Sequence, residues 1–132
     1  MPKKWKGKGS HCREHGTEIV EKDFSFELIE YEIGQGNAVQ DGYQLSGKIN
    51  GYGTGVLIYD GKRYMVEGKI FTPEKVGGNY YIDMSNVEKK IGLEGDINVD
   101  GKMNVTVDTA YKPNAILYRP VDRYAVNMFV AE

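Results

Sequence analysis

The stretch from Gly42 to Phe71 decides the architecture expected of this chain. It opens with Gly42-Tyr43-Gln44-Leu45-Ser46-Gly47-Lys48-Ile49-Asn50, passes through Gly51-Tyr52-Gly53 into Thr54-Gly55-Val56-Leu57-Ile58-Tyr59, and reverses at Asp60-Gly61. It then returns as Lys62-Arg63-Tyr64-Met65-Val66-Glu67-Gly68-Lys69-Ile70-Phe71. Small or apolar residues alternate with polar ones, which places side chains on two faces, as in half-buried strands. Asp-Gly supplies the positive φ angles of a two-residue type I′ turn, so the reversal predicts a hairpin tip. The same dipeptide recurs at Asp100-Gly101, between Ile91–Val99 and Lys102–Val107, and predicts a second one.

Working outward, Phe24, Phe26 and Leu28 fall on one face and Ile29, Tyr31 and Ile33 on the other, so the phase slips at Leu28-Ile29, the mark of a β-bulge. Gly34-Gln35-Gly36-Asn37 reads as a turn and Gly51-Tyr52-Gly53 as a tight connection between strands. Thr72 to Asn79, with Pro73 and Gly77-Gly78, reads as a loop, and Tyr80–Met84 as a short strand. Ser85, with Glu88 three positions on, fits the capping-box spacing of a single helical turn. After Lys112-Pro113-Asn114 a strand is expected over Ala115–Tyr118, a turn over Arg119–Asp122, and a last strand presenting Tyr124, Val126, Met128 and Val130 on one face.

The sum is an all-β domain, an antiparallel meander of about nine or ten short strands. Consecutive hairpins favour closure into an up-and-down barrel; a β-sandwich is the alternative. With 132 residues the whole of 1–132 fits a single domain, 1–16 forming either a first strand or a basic tail. Seventeen glycines and ten tyrosines, without Ala- or Leu-rich segments, agree with strands rather than helices.

Charge and cysteine usage narrow the functions. Residues 1–16 carry five cations against one carboxylate, a net of +4, leaving −6 for the remainder of a chain whose net charge is −2. A basic segment on an acidic body does not make a nucleic-acid-binding face, which needs cations spread across one side of the fold. The lone Cys12 allows no internal disulfide, which favours the cytoplasm, and no apolar run is long enough to span a bilayer.

The motifs that could carry chemistry have ordinary explanations. His11-Cys12-Arg13-Glu14-His15 offers three soft ligands but no fourth in a charged loop, so no metal site is expected there. Glu27, Glu30 and Glu32 read as a solvated face rather than an acid–base pair. Gly51-Tyr52-Gly53-Thr54-Gly55 leads into a strand and not a helix, so it lacks the helix N-terminus of a phosphate loop.

One resemblance bears on function. Trp5-Lys6-Gly7-Lys8-Gly9, followed by a long meander, resembles the opening of calycin-type barrels, the lipocalin-like group, and in particular the nitrobindin-like branch. It implies that Trp5 sits in the floor of a barrel, with Arg119 or Arg123 stacked on its ring. In that branch a histidine near the C-terminus holds a haem iron. Here the histidines are His11 and His15, so the haem does not carry over and no cofactor is expected.

The leading expectation is a non-enzymatic protein that holds a small apolar or amphipathic ligand in the barrel interior or mouth, with Tyr43, Tyr64 and Tyr81 as candidate ligand-binding residues. An interaction or assembly module, pairing a sheet edge or the basic N-terminus with a protein partner or a second copy, is the alternative. An isomerase or hydrolase in the barrel mouth comes third, since no nucleophile–base pair is visible and no catalytic residue is assigned.

Overall fold

A computed structural model describes residues 2–11, 20–40, 42–111 and 123–131. They form eight antiparallel strands and no helix: β1 (Lys4–His11), β2 (Glu21–Gln40), β3 (Tyr43–Tyr59), β4 (Lys62–Pro73), β5 (Tyr80–Asn86), β6 (Ile91–Ile97), β7 (Met103–Asp108) and β8 (Arg123–Val130). Each pairs with the next in sequence, and β8 pairs back onto β1, Trp5 opposite Val130 and His11 opposite Tyr124, so the pairings close into a ring. One continuous sheet results, not the two facing sheets of a sandwich. Within the first sixteen residues, β1 is built into this ring as the closing strand rather than left as a tail.

The ring is filled by the inward positions. Trp5, Phe24, Phe26, Leu28, Leu57, Val66, Ile70, Ile82, Met84, Leu93, Val105 and Met128 belong to one buried cluster, as the period-two pattern predicts for strands wetted on one side only. Glycine makes room for the large rings. A Cβ on Gly55 would come within 2.6 Å of the Phe26 ring, and one on Gly9 within 2.6 Å of Phe24. The bulge expected at Leu28-Ile29 is present: the β2–β3 register shifts between Leu28 and Glu30, which returns Tyr31 to the inner side against the core.

At Asp60-Gly61 φ is 49° and 79°, as a type I′ turn requires. The second tip is built differently. Gly101 has φ 84° while Asp100 has no positive φ, the Gly101 N–H donates to Asn98 O at 2.9 Å, and Asn98 N–H donates to Lys102 O at 2.9 Å. This is the three-residue loop ending in a left-handed glycine. Asn98 commits the chain to it, its Oδ1 accepting from Asp100 N–H at 3.0 Å and from Lys102 N–H at 2.9 Å.

Other expectations are corrected. Gly34–Asn37 and Gly51–Gly53 lie inside β2 and β3, so each of these long strands spans what the sequence presents as two. The cause at Gly51 is close approach, since a Cβ there would lie 2.7 Å from Ile70 O and 2.8 Å from Glu32 O. Ser85 caps no helical turn: it ends within β5, and Asn86 Oδ1 instead accepts from Lys89 N–H at 3.0 Å in a turn over 87–90. Gly47, an inward position by alternation, is exposed with φ 77°. Cys12, His15, Ala115–Tyr118 and Arg119 lie outside the described residues.

The far part of the β2–β3 hairpin crosses the outside of the ring. Gln40 on β2, separated from β5 by β3 and β4 in ring order, reaches it and donates from Nε2 to Asp83 Oδ2 at 3.1 Å. Beneath this crossing Phe71, one position after inward Ile70, is fully buried and stacks on Tyr81 with centroids 6.0 Å apart.

Candidate functional site

At the ends of β1 and β3 and the starts of β2, β4 and β8, aromatic side chains from five strands converge. Phe24 and Tyr124 are nearly fully buried, and Tyr59 and Tyr64 are half-buried against the same core. The Phe24, Tyr59 and Tyr124 rings form a triangle with centroids 5.0, 5.5 and 5.5 Å apart. His11 meets the Tyr124 ring edge-on at 5.2 Å. Such tilted contacts suit the quadrupoles of the rings and fix their orientation. Within this apolar wall the Tyr59 hydroxyl donates to the Tyr124 hydroxyl at 3.1 Å.

The local sequence explains the positions. Phe24, Tyr59 and Tyr124 each sit at or near the end of an alternating run, in its inward phase, and the β1–β2, β1–β8 and β3–β4 registers bring those ends to one level. The β3–β4 tip is tied down there: Asp60 N–H donates to Asp23 O at 3.1 Å, and Lys22 Nζ bonds Asp60 Oδ2 at 3.1 Å. That hydrogen bond, with the charge of Asp60 second, holds the Lys22 ammonium above its ordinary pKa. What results is an aromatic cluster in which Phe24 and Tyr124 are covered while His11, Tyr59 and Tyr64 remain partly exposed at the end of the ring.

Of the three tyrosines singled out from the sequence, Tyr64 belongs to this end. Tyr43 stands exposed (77%) at the start of β3. Tyr81 lies on the outer face under the crossing hairpin, where its hydroxyl donates to Glu94 Oε2 at 3.3 Å. The structure therefore does not bring the three together. Phe24, Tyr59 and Tyr124 are not candidates in the sequence and His11 is weighed there only as a metal ligand; the one signal for them is that each is a ring at an end of the inward phase of its strand.

The outer face around Tyr81 holds a second cluster. Asp83 and Glu94 are cross-strand partners, and Asp108 faces Arg123, whose Nε lies 3.3 Å from Asp108 Oδ1. Burial, and then the charge of Asp83, pushes the Glu94 carboxyl above its ordinary value. Burial also raises Asp108, opposed by Arg123, and burial followed by Glu94 raises the Tyr81 phenol. Among the described residues no three His, Cys, Asp or Glu side chains are grouped to hold a metal. Glu30 and Glu32 are exposed, and Glu27 reaches Lys4 at 3.9 Å, in line with a solvated face.

At the opposite end Trp5 is 1% exposed, and its Nε1–H donates to Gly101 O at 2.7 Å. Arg123 is not its partner. Trp5 pairs with Val130, seven positions along β8 from Arg123, which is engaged with Asp108 at the other end. Compared with protein-family models, with curated proteins and with solved structures, the chain gives no match.

Proposed function

We propose that the chain is a non-enzymatic ligand-binding protein, a calycin-like up-and-down barrel that holds an apolar or amphipathic small molecule at its tyrosine-rich mouth, against His11, Tyr59, Tyr64 and Tyr124. The observation that carries this reading is the Tyr59–Tyr124 hydroxyl pair set in an aromatic wall. Ligand sites combine apolar walls with a few placed polar groups, and this wall sets two phenol hydroxyls side by side. The packed middle of the ring directs the ligand to the mouth rather than the centre. The calycin-like form is supported by Trp5 on the first strand, inward and buried, with Gly7 and Gly9 after it.

The test is titration with N-phenyl-1-naphthylamine, a neutral fluorescent amphiphile. Saturable, blue-shifted emission is expected, weakened about tenfold or more in a Tyr59→Phe/Tyr124→Phe double variant, the size of losing a well-placed hydrogen bond. A Tyr81→Phe variant should bind as the parent does. Absence of saturation, or an unchanged affinity in the double variant, overturns the reading.

A second reading, an assembly module, draws on the β2 edge. Beyond Glu27 that strand pairs with β3 on one side; on the other, the bond from Leu28 N–H to Lys3 O at 2.8 Å is the last one among the described residues. Ile29, Ile33 and Val39 along it are exposed. Unpaired strands of this kind add a partner strand, so sedimentation across a wide concentration range should show a second copy binding, and Ile33→Lys should abolish it. A monomer at every concentration excludes self-assembly.

A further inference from the structure

A groove of about 630 Å³ lies on the outer face beside β1 and reaches Asp23, Phe24 and Gly61 near the tyrosine-rich end. The registers of β8, β1, β2 and β3 create it, because Phe129, Lys6, Ser25 and Ile58 form one cross-strand row. Ser25 is the small member of that row, so a depression is left between Ile58 and the ring of Phe129, which is 58% exposed beside an exposed Val130.

The rim is cationic on a protein whose net charge is negative. Lys6 and Lys8 are exposed, and among the described residues neither makes an ion pair. Lys102 Nζ stands 5.1 Å from the Phe129 ring centroid. The opposing charge at the groove is Asp23, which is the cross-strand partner of Lys8. Lys8 thus faces a carboxylate across the strand pair, whereas Lys6 and Lys102 both stand at Phe129.

We infer that this groove binds a soluble anionic amphiphile, an alkyl carboxylate, with its head group between Lys6 and Lys102 and its chain laid over Ser25 against Ile58 and Phe129. The volume lies in the range of small-molecule sites, and the groove sets the Lys6 ammonium beside the apolar side chains of Ile58, Phe129 and Val130, a pairing of charge and apolar lining that such a molecule carries. Each added methylene that reaches the groove should raise affinity by up to about fourfold, and the ionic contribution, being exposed, should weaken as salt screens it.

The experiment titrates the whole chain with decanoate and dodecanoate below their micelle concentrations and follows amide chemical shifts. Saturable shifts are expected at Lys6, Ser25, Ile58 and Phe129, with dodecanoate tighter than both decanoate and uncharged dodecanol. Lys6→Glu should lower the affinity for dodecanoate about tenfold or more, and Ser25→Phe should fill the groove and remove binding, while native Trp5 emission reports that each variant is folded. Four results overturn the inference: no saturable shifts, shifts centred on Tyr59, Tyr64 and Tyr124, equal affinity for dodecanol and dodecanoate, or binding to anionic vesicles without binding to the monomeric carboxylate.

Discussion

At one end of the ring Trp5 lies 1% exposed with its indole N–H satisfied by a backbone carbonyl; at the other, Tyr59 and Tyr124 bond to each other within a wall completed by Phe24 and His11. Both ends are aromatic, but they differ in where the polar atom goes. The indole has one donor, spent on Gly101 O, so nothing is left to offer a ligand. A phenol both donates and accepts, so the Tyr124 hydroxyl, which accepts from Tyr59, still carries a proton of its own. The first arrangement contributes stability alone, and the second contributes some stability and presents chemistry.

The largest effect should come from emptying the Trp5 site. Trp5→Ala is expected to cost about 3–5 kcal/mol in a denaturant titration, the range for removing a large buried aromatic. Overpacking the neighbouring Phe26 ring, which lies 5.8 Å from the Trp5 ring, comes next. Gly55→Val drives a side chain into the Phe26 ring and should cost about 1–3 kcal/mol or more. At the tyrosine-rich end Tyr124→Phe keeps the ring and removes one hydroxyl, so about 1 kcal/mol is expected, with a larger proportional effect on ligand affinity. If Tyr124→Phe proved as damaging as Trp5→Ala, the two ends would be doing the same work and the contrast would fail.

The smallest effect concerns the outer face. Glu94 has its folded pKa raised by burial and by Asp83, so between the unfolded and folded values the native state binds more protons, and stability falls as pH rises through that window. Glu94→Gln should therefore raise Tm modestly at neutral pH while still accepting from Tyr81. The gain should shrink as the pH is lowered and Glu94 in the parent becomes protonated. A gain that grows on acidification would reverse the assignment.

These regions were unequally legible in the sequence. The Asp60-Gly61 tip and the slip at Leu28-Ile29 are local, written in φ preference and side-chain phase, and both stand in the structure. Ring closure joins β1 to β8 across more than a hundred residues, and period-two patterning carries no information about which strands meet. Glycine misled at Gly34–Asn37 and Gly51–Gly53 because it serves turns and close backbone approach alike, and a single sequence does not separate the two uses. Asp100-Gly101 misled more narrowly: Asn98, two residues earlier, selects the longer loop through its side chain. Of the candidate site, Tyr64 alone was foreseen, since five strand ends must be brought to one level before the others become neighbours. Tyr81 was a tyrosine of the right composition on the wrong side of the sheet.

The account turns most directly on where a neutral amphiphile binds. Amide shifts recorded while N-phenyl-1-naphthylamine is titrated into the full chain should move in a saturable way at His11, Phe24, Tyr59, Tyr64 and Tyr124 and stay fixed at Trp5 and Gly101. Shifts that gather around Trp5 and Gly101, or none that saturate, would contradict it.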